Sequence, residues 1–424
     1  MNIILLSGGS GKRLWPLSND LLSKQFLKLL KNEHSVYESM VQRVARQIKT
    51  SHKNVNLYVS CNMTQEDILL RQLQDVETIL EPTRRDTFPA VCLAAAYLHY
   101  EKGQALDAAC IICPIDPYAE QKYFDLLKNV YSLVTHEGYT IGLMGALPTY
   151  PSEKYGYILQ KSSIVQGFVE KPSLSKAAQL LAEGALWNCG VFALKIGYIL
   201  EHAKKYIDFS NYNELQHQYD SLPKTSFDYA VVEGEKNLGV VEYDGVWKDL
   251  GTWNTLTEEM TDISMGDVTI ADDCENIHVL NMLNIPIITQ DTHNAVIIAS
   301  HDGIYVSSKQ GSSFLKPLAE KINQRPMYEQ RRWGDYRVLE HKQHSDSTSV
   351  VKRIRVDAGC CMDELCTNDN MTTWVVIKGT GNAKHDGEDF MLIPGIALKI
   401  KPNVIYNVYA EITLEIIEVQ VSKV

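Results

Sequence analysis

Residues 2–30 read NIILLSGGSGKRLWPLSNDLLSKQFLKLL, and almost every position in them is informative. Asn2 to Leu6 is a short apolar run without polar alternation, the pattern of a strand buried on both faces of a parallel sheet. It is expected to be the first and central strand. It stops at Ser7-Gly8-Gly9-Ser10-Gly11, where residues without Cβ atoms let the backbone turn sharply and bring N–H groups close to a phosphate. Lys12 and Arg13 follow on the same loop and Lys24 comes soon after, so cationic side chains can close over an anion held by those amides. The plainer reading is a glycine turn flanked by solvated charges. Spacing excludes two familiar phosphate loops. A Walker loop needs Gly where Leu6 stands and Ser or Thr where Arg13 stands, and the dinucleotide fingerprint needs Gly at Leu14.

The 424 residues, 45% hydrophobic and 22% charged, suit a protein of about two or three domains with a sizeable core. No run approaches about 18 consecutive apolar residues, and the N-terminus leads straight into the strand without a basic segment or cleavage site. A cytoplasmic location is expected. A formal net charge of −11 argues against nucleic acid or an anionic membrane as partner, since both call for a basic face. A nucleotide would have to be met by a local positive pocket. Nine cysteines, an odd number, do not suggest a disulfide framework. Cys110 and Cys113 have CxxC spacing but lie in the apolar run ACIICPID, where buried strand thiols are a simpler reading than a metal or redox pair.

Further along, Ser35 to Ile48 has apolar residues at helical spacing and Val55 to Val59 reads as a strand, which completes a βαβ unit. A helix over Thr64 to Gln74 and a strand over Glu77 to Leu80 lead into EPTRRDTFPA at 81–90. Ala90 to Tyr100 reads as a helix. Ala108 to Cys113 is a core strand that delivers Asp116 beyond its carboxyl end, where open α/β sheets bind their ligands. Past Trp253 the texture changes to short β-rich pieces such as VTIA, IHVL, AVIIAS and GIYVSS, as expected for a small β-solenoid or β-rich linker. A short helix over Ser312 to Ile322 and a polar connector end that region.

GGSGKRLWPLS followed by SKQFL resembles the opening of the sugar-nucleotide pyrophosphorylases, most closely the mannose-1-phosphate guanylyltransferases, with Ser23 in place of the family's Pro. The same family is echoed, in the same order, by EPTRRDTFPA (81–90), YGYI (155–158), FVEKP (168–172), WNCGVF (187–192), FDYAVVE (227–233) and WKDLGTW (247–253). The resemblance implies catalytic roles for Arg13 and Lys24 and nucleotide contacts from Gly8, Gly9, Ser10, Gly11, Lys12, Arg85 and Asp86. It implies sugar-phosphate contacts from Gly156, Glu170, Lys171, Asn188 and Asp228. Asp116 and Asp249 would hold Mg2+, a hard cation that two separated carboxylates bind together with substrate and water oxygens. The residue types suit these roles: Glu170 accepts from hydroxyls, Asn188 donates and accepts, and Lys171 offsets phosphate charge. Each has a plainer alternative. Either aspartate could be a cap or loop hydrogen-bonder, Glu-Lys-Pro a turn, Trp-Asn an interface residue beside a cap, and Arg84 and Arg85 a solvated pair. Asp86 replaces the family's Asn; its two acceptor oxygens match guanine's N1–H and N2 amine, yet an acid there also suits a helix cap.

From Arg332 onward, RWGDY, WVVIKGTG (374–381), IPG (393–395) and LEIIEVQ (414–420) resemble the cupin module of type II phosphomannose isomerase that is fused behind many of these enzymes. An isomerase of that kind needs Gln, His and Glu before the WVV strand and a later His. CTNDNMTT (366–373) fills that place, and after His344 only His385 remains, in an expected loop. Isomerase activity is therefore expected to be absent.

The expected architecture is an α/β, Rossmann-like nucleotidyltransferase domain with a mixed, mostly parallel sheet (1–262), a β-solenoid or linker with a short helix (263–329), and a degenerate cupin-like β-barrel (330–424). The resemblance implies transfer of GMP from GTP to mannose 1-phosphate by a homodimer, giving GDP-mannose and pyrophosphate. The alternatives are a nucleotidylyltransferase for another hexose or heptose 1-phosphate, and a silent regulatory subunit that binds sugar nucleotides. Retention of Arg13, Lys24, Asp116 and Asp249 weighs against silence.

Overall fold

The apolar run after Met1 forms β1 (Asn2–Leu6), whose Ile3, Ile4 and Leu5 are fully buried and so leave no face for polar residues. It pairs in parallel with β2 (Asn56–Asn62) on one side and with β4 (Ala109–Pro114) on the other, while β3 (Glu77–Glu81) extends the sheet beyond β2. The computed structural model describes residues 1–8, 11–161, 164–365, 371–385, 388–400 and 405–423. They form two compact units: residues 1–10 with 25–261, and residues 11–24 with 262–424.

In the first unit, α1 (Met40–Ser51) makes the crossover from β1 to β2. Ser39 and Gln42 close a capping box at its start, and Val41, Val44, Ala45 and Ile48 form its buried stripe. α2 (Thr87–Ala96) follows β3 and is buried along its whole face from Phe88 to Ala96, so it runs inside the core. Truncating one of these side chains, Leu93→Ala for example, would cost about 2–5 kcal/mol. After β4 come β5 (Pro117–Ala119), β6 (Ile141–Ala146), β7 (Tyr157–Lys161), β8 (Ile164–Val169), β9 (Leu186–Lys195), β10 (Leu238–Tyr243) and β11 (Trp247–Asp249). The main sheet has nine strands in the order β3-β2-β1-β4-β9-β6-β10-β8-β7.

The sheet is mixed, as expected, but its parallel character is confined to β3-β2-β1-β4 and to the β6-β10 pair. β9 runs antiparallel to both β4 and β6, and β7 and β8 are antiparallel neighbours. The reason is connection length: too few residues separate β7 from β8 for a parallel crossover, so a hairpin is the only closure. Cys110 and Cys113 lie on β4 as buried thiols, each pushed up to about 12 by burial.

In the second unit, the strands Ser264–Met265, His278–Asn281 and Ala295–Ser300 stack in parallel, with Gly303–Ser308 turning back antiparallel on the last. A second parallel ladder joins Val268–Ile270 to Ile287–Thr289. The expected helix over 312–322 is reduced to a single 3-10 turn, Gly311–Phe314, and a short helix, Lys316–Ala319. Pro317 lacks an N–H and fits only a first turn, so no helix can run through it from Ser312.

Residues 328–423 form the cupin-like region, two antiparallel sheets of six and four strands. Ile354, Val356, Trp374, Val376, Tyr406, Leu414 and Ile416 fill the core they share. Trp374 and Tyr406 meet edge to face at 4.5 Å. The Trp374 indole N–H donates to buried Glu418 at 2.9 Å, and Lys352 sits 2.9 Å from the other Glu418 oxygen. Cys366 to Asn370, which stand where an isomerase would carry its ligands, lie outside the described residues. His385 ends the strand Gly381–His385 rather than occupying a loop. No helix among the described residues is long and apolar enough to cross a membrane.

Candidate active site

The loop after β1 is tied at its base. Gln25 of the SKQ segment donates from Nε2 to the Ser7 carbonyl at 3.1 Å and lies 3.2 Å from the Ser7 hydroxyl, so the chain leaves and rejoins the sheet at one point. Gly8 faces open space, as an approach by phosphate requires. Gly9 and Ser10 lie outside the described residues. Gly11 has a different reason to be glycine: a Cβ there would fall 1.7 Å from the Asn19 carbonyl oxygen, so the loop could not fold back on itself. Within the second unit, Gly11–Leu14 forms a 3-10 turn that leaves Arg13 exposed and directs the Lys12 ammonium to the Ile322 carbonyl at 3.3 Å.

In the first unit strand pairing fixes where one aspartate stands relative to the backbone next to the other. β5 and β11 run antiparallel with Asp249 opposite Pro117, so Asp249 stands beside the residue that follows Asp116. A cleft of about 760 Å3 has Asp249 in its wall with Tyr150, Tyr155, Trp187 and Trp247. Those rings stack edge to face at 4.9 to 5.1 Å and brace the strand that presents Asp249. Sequence reading did not foresee this cleft, although the recurrence of Tyr and Trp beside each motif was a usable signal.

The residues on the sugar side also converge. Asn188 on β9 donates to Asp228 at 2.7 Å and accepts from the Gly190 N–H at 3.1 Å, while its own N–H bonds the Gly156 carbonyl at 2.8 Å. Gly156 is glycine because a Cβ would lie 2.4 Å from Glu170 Oε2. Glu170 in turn holds Lys171 at 2.8 Å. Burial first, and the Glu170 carboxylate second, push Asp228 up to about 7 against the lowering effect of the Asn188 amide. An acid raised in the fold takes up a proton on folding, so its contribution is complete below the unfolded value of 3.8 and is lost as pH rises through about 7. Stability is therefore expected to fall by about 1 kcal/mol between about pH 6 and about pH 8. Thermal melts of the wild type and Asp228→Asn across that range check this, because the variant should lose that part of the slope.

Two other expected nucleotide contacts are engaged with their own chain. Asp86, at φ 68°, accepts from the Thr87 N–H at 2.8 Å and so caps α2. Arg85 donates twice to the Leu222 carbonyl, at 3.2 and 2.9 Å, and lies 3.5 Å from Asp220.

The family profile described as nucleotidyl transferase matches residues 2–265, a span that holds the glycine loop, both aspartates and the Asn188–Asp228 cluster. The chain belongs to the nucleotidyl transferase family. A second profile, mannose-6-phosphate isomerase C-terminal, matches residues 320–424 of this nucleotidyl transferase. The xanthan biosynthesis protein XanB of Xanthomonas campestris pv. campestris is 28% identical over 461 residues, covering 98% of this chain and 94% of that protein. The mannose-1-phosphate guanylyltransferase of Klebsiella pneumoniae is 28% identical over 464 residues, covering 98% and 95%. Among solved structures, one from Thermus thermophilus described as a mannose-1-phosphate geranyltransferase aligns with TM-score 0.62 and 23% identity. It covers 76% of this chain and 99% of that one, and shows the fold. Two residues of the nucleotidyl transferase went unnoticed in its sequence: Asn19, inside the signature loop, and Asp302, which lies 2.7 Å from it although 283 positions away. No local pattern signals such a pair.

Proposed function

We propose that the chain transfers GMP from GTP to mannose 1-phosphate, releasing pyrophosphate and forming GDP-mannose. The observation that supports this reading is the pairing of β5 with β11, which puts Asp249 opposite Pro117, the residue after Asp116, in the unit that also assembles Gly156, Glu170, Asn188 and Asp228. The donor types fit Mg2+: two hard carboxylates would bind it together with phosphate and water oxygens. Bound there, the cation would neutralise charge on the transferring phosphate. A sugar phosphate has a second pKa of about 6 and is a dianionic nucleophile at neutral pH, so no general base is required. This chain's own residues then position and neutralise. Gly8 to Gly11, with Lys12 and Arg13, would hold the departing pyrophosphate, Lys24 would offset charge at the α-phosphorus, and Lys171 would steer the sugar phosphate. Arg85 and Asp86 would border the base, Asp86 adding guanine recognition to its role as a cap.

We extend the reading to the remainder of the chain: a catalytic domain over 1–262, a β-solenoid over 263–329 supported by its parallel ladders, and a closed cupin barrel over 330–424 supported by the shared core of its two sheets. A cytoplasmic homodimer belongs to this reading, and the net charge of −11 suits a chain whose partners are neither nucleic acid nor an anionic membrane. The test is a pyrophosphate-release assay across a panel of nucleoside triphosphates and sugar 1-phosphates, run on the wild type and on Asp86→Asn. GTP with mannose 1-phosphate should be fastest. Preference for another sugar, or no release with any pair, would replace this reading. If Asp86 reads the base, Asp86→Asn should shift the ratio of GTP to ATP and UTP rates, whereas a pure cap leaves that ratio alone.

The cupin-like region should not interconvert mannose 6-phosphate and fructose 6-phosphate at any metal concentration. Its interior carries Trp374, Tyr406 and the Lys352–Glu418 pair, a packed arrangement suited to a scaffold. Truncation after Glu329 should leave nucleotidyl transfer intact. A robust isomerase signal in a coupled assay would overturn this part.

A further inference from the structure

Residues 11–24 group with the second unit, where two hydrogen bonds meet on one carboxylate. Asp302 lies in the turn between Ala295–Ser300 and Gly303–Ser308. Its Oδ2 accepts from Asn19 Nδ2 at 2.7 Å and its Oδ1 accepts from the Met327 N–H at 2.6 Å, just ahead of the cupin-like region. Buried Asn19 has no freedom to turn over. Its Oδ1 already accepts from the N–H groups of Leu21 and Leu22, at 2.9 and 2.8 Å, which shape the chain leading to Lys24. Only the NH2 end of Asn19 is left for position 302. A group there must therefore accept twice, once from Asn19 and once from Met327, and a carboxylate does so where an amide could not. The same turn is fastened at two more points. Ser300 donates to the Pro16 carbonyl at 2.6 Å, and the Trp15 ring packs so closely on Gly303 that a Cβ there would fall 2.6 Å from it.

We propose that Asp302 is a positioning residue for the signature loop: anchored by Met327, it fixes Asn19 and thereby the segment that bears Lys12, Arg13 and Lys24. The later unit then acts on the chemistry through its hold on this loop. The catalytic consequence rests on the assignment of the loop to the nucleotide, and the hold itself does not.

The test is an exchange of the two side chains in the full-length protein. Asp302→Asn keeps shape and the Met327 bond but sets an NH2 against the Asn19 NH2. Asn19→Asp sets two carboxylates against each other. The double exchange restores one acceptor facing one donor while Leu21, Leu22 and Met327 keep their acceptors. Each single variant is expected to lower kcat by about ten- to a hundredfold, with the KM for the sugar 1-phosphate changed by less than about threefold. The double variant should return to within about threefold of the wild type. Backbone amide exchange over residues 11–24 should quicken by about tenfold in the singles and recover in the double. A purely structural role would lower the melting temperature without separating kcat from that KM.

Unchanged kcat and unchanged loop protection in Asp302→Asn would overturn the proposal, as would a double variant that loses as much as the singles combined. If the wild type transfers no guanylyl group, the proposed reaction fails, and amide exchange alone decides whether Asp302 holds the loop.

Discussion

Exchanging Asp249 for Asn is expected to lower kcat/KM by about a thousandfold, and Asp116→Asn to do the same, because in the proposed reaction each would remove a charged ligand of the cation that neutralises phosphate charge. Asp249 pairs with Pro117, the residue after Asp116, so the two carboxylates leave separate backbone positions and neither is expected to replace the other. The fold should survive both changes, since Asn is isosteric with Asp; circular dichroism and melting temperature check this. Raising Mg2+ should restore part of the activity if the loss lies in cation affinity. Near-normal turnover in either variant at ordinary Mg2+ would remove the two-aspartate assignment. A second measurement does not depend on turnover: Mn2+ binding followed by paramagnetic resonance should weaken in both variants.

Lys24→Ala should lower kcat by about a hundred- to a thousandfold while the KM for the sugar 1-phosphate stays near its wild-type value. The reason is timing. Charge at the α-phosphorus grows as the reaction proceeds, so a cation that meets it there stabilises the transition state more than the bound substrate. Lys24→Arg would keep the charge on a planar, larger head and should recover only part of the rate. Steady-state kinetics with both substrates varied separates the cases. A raised KM at unchanged kcat would place Lys24 in binding instead of chemistry.

How much of this was legible in the residues depended on whether the cause was local. Asn2 to Leu6 read as a central strand because a run without polar alternation must be covered on both faces, and it lies between β2 and β4 with Ile3, Ile4 and Leu5 fully buried. The residues around Asn188 and Glu170 were expected to meet hydroxyls because of their types; Asn188, Asp228, Gly156 and Glu170 do lie together, while their part in binding a sugar belongs to the proposal. Strand direction beyond β4 was not legible. An apolar run such as β9 is compatible with either orientation, and only its insertion between β4 and β6 decides it. Asp86 had two physical readings of similar merit; the cap is formed, and base recognition awaits the nucleotide panel. Gly11 was read as a means of approach to phosphate, whereas its closest constraint is the Asn19 carbonyl. Asp302 was out of reach altogether, since nothing near it in sequence distinguishes it from any acid in a tight turn.

The separation of 283 positions between Asn19 and Asp302 bears on how the protein is made. Synthesis supplies the strands of the first unit early, and most of their pairings close within that stretch. The signature loop is translated ahead of most of the sheet, yet its partners at Ser300, Asp302 and Met327 leave the ribosome only after the whole nine-stranded sheet has been delivered. A nascent chain that ends before residue 302 thus presents a largely formed sheet with an unfastened loop, because contacts so distant must wait for the chain to exist. Competence for chemistry would in this sense be acquired late, when a segment 283 positions downstream arrives to secure the loop.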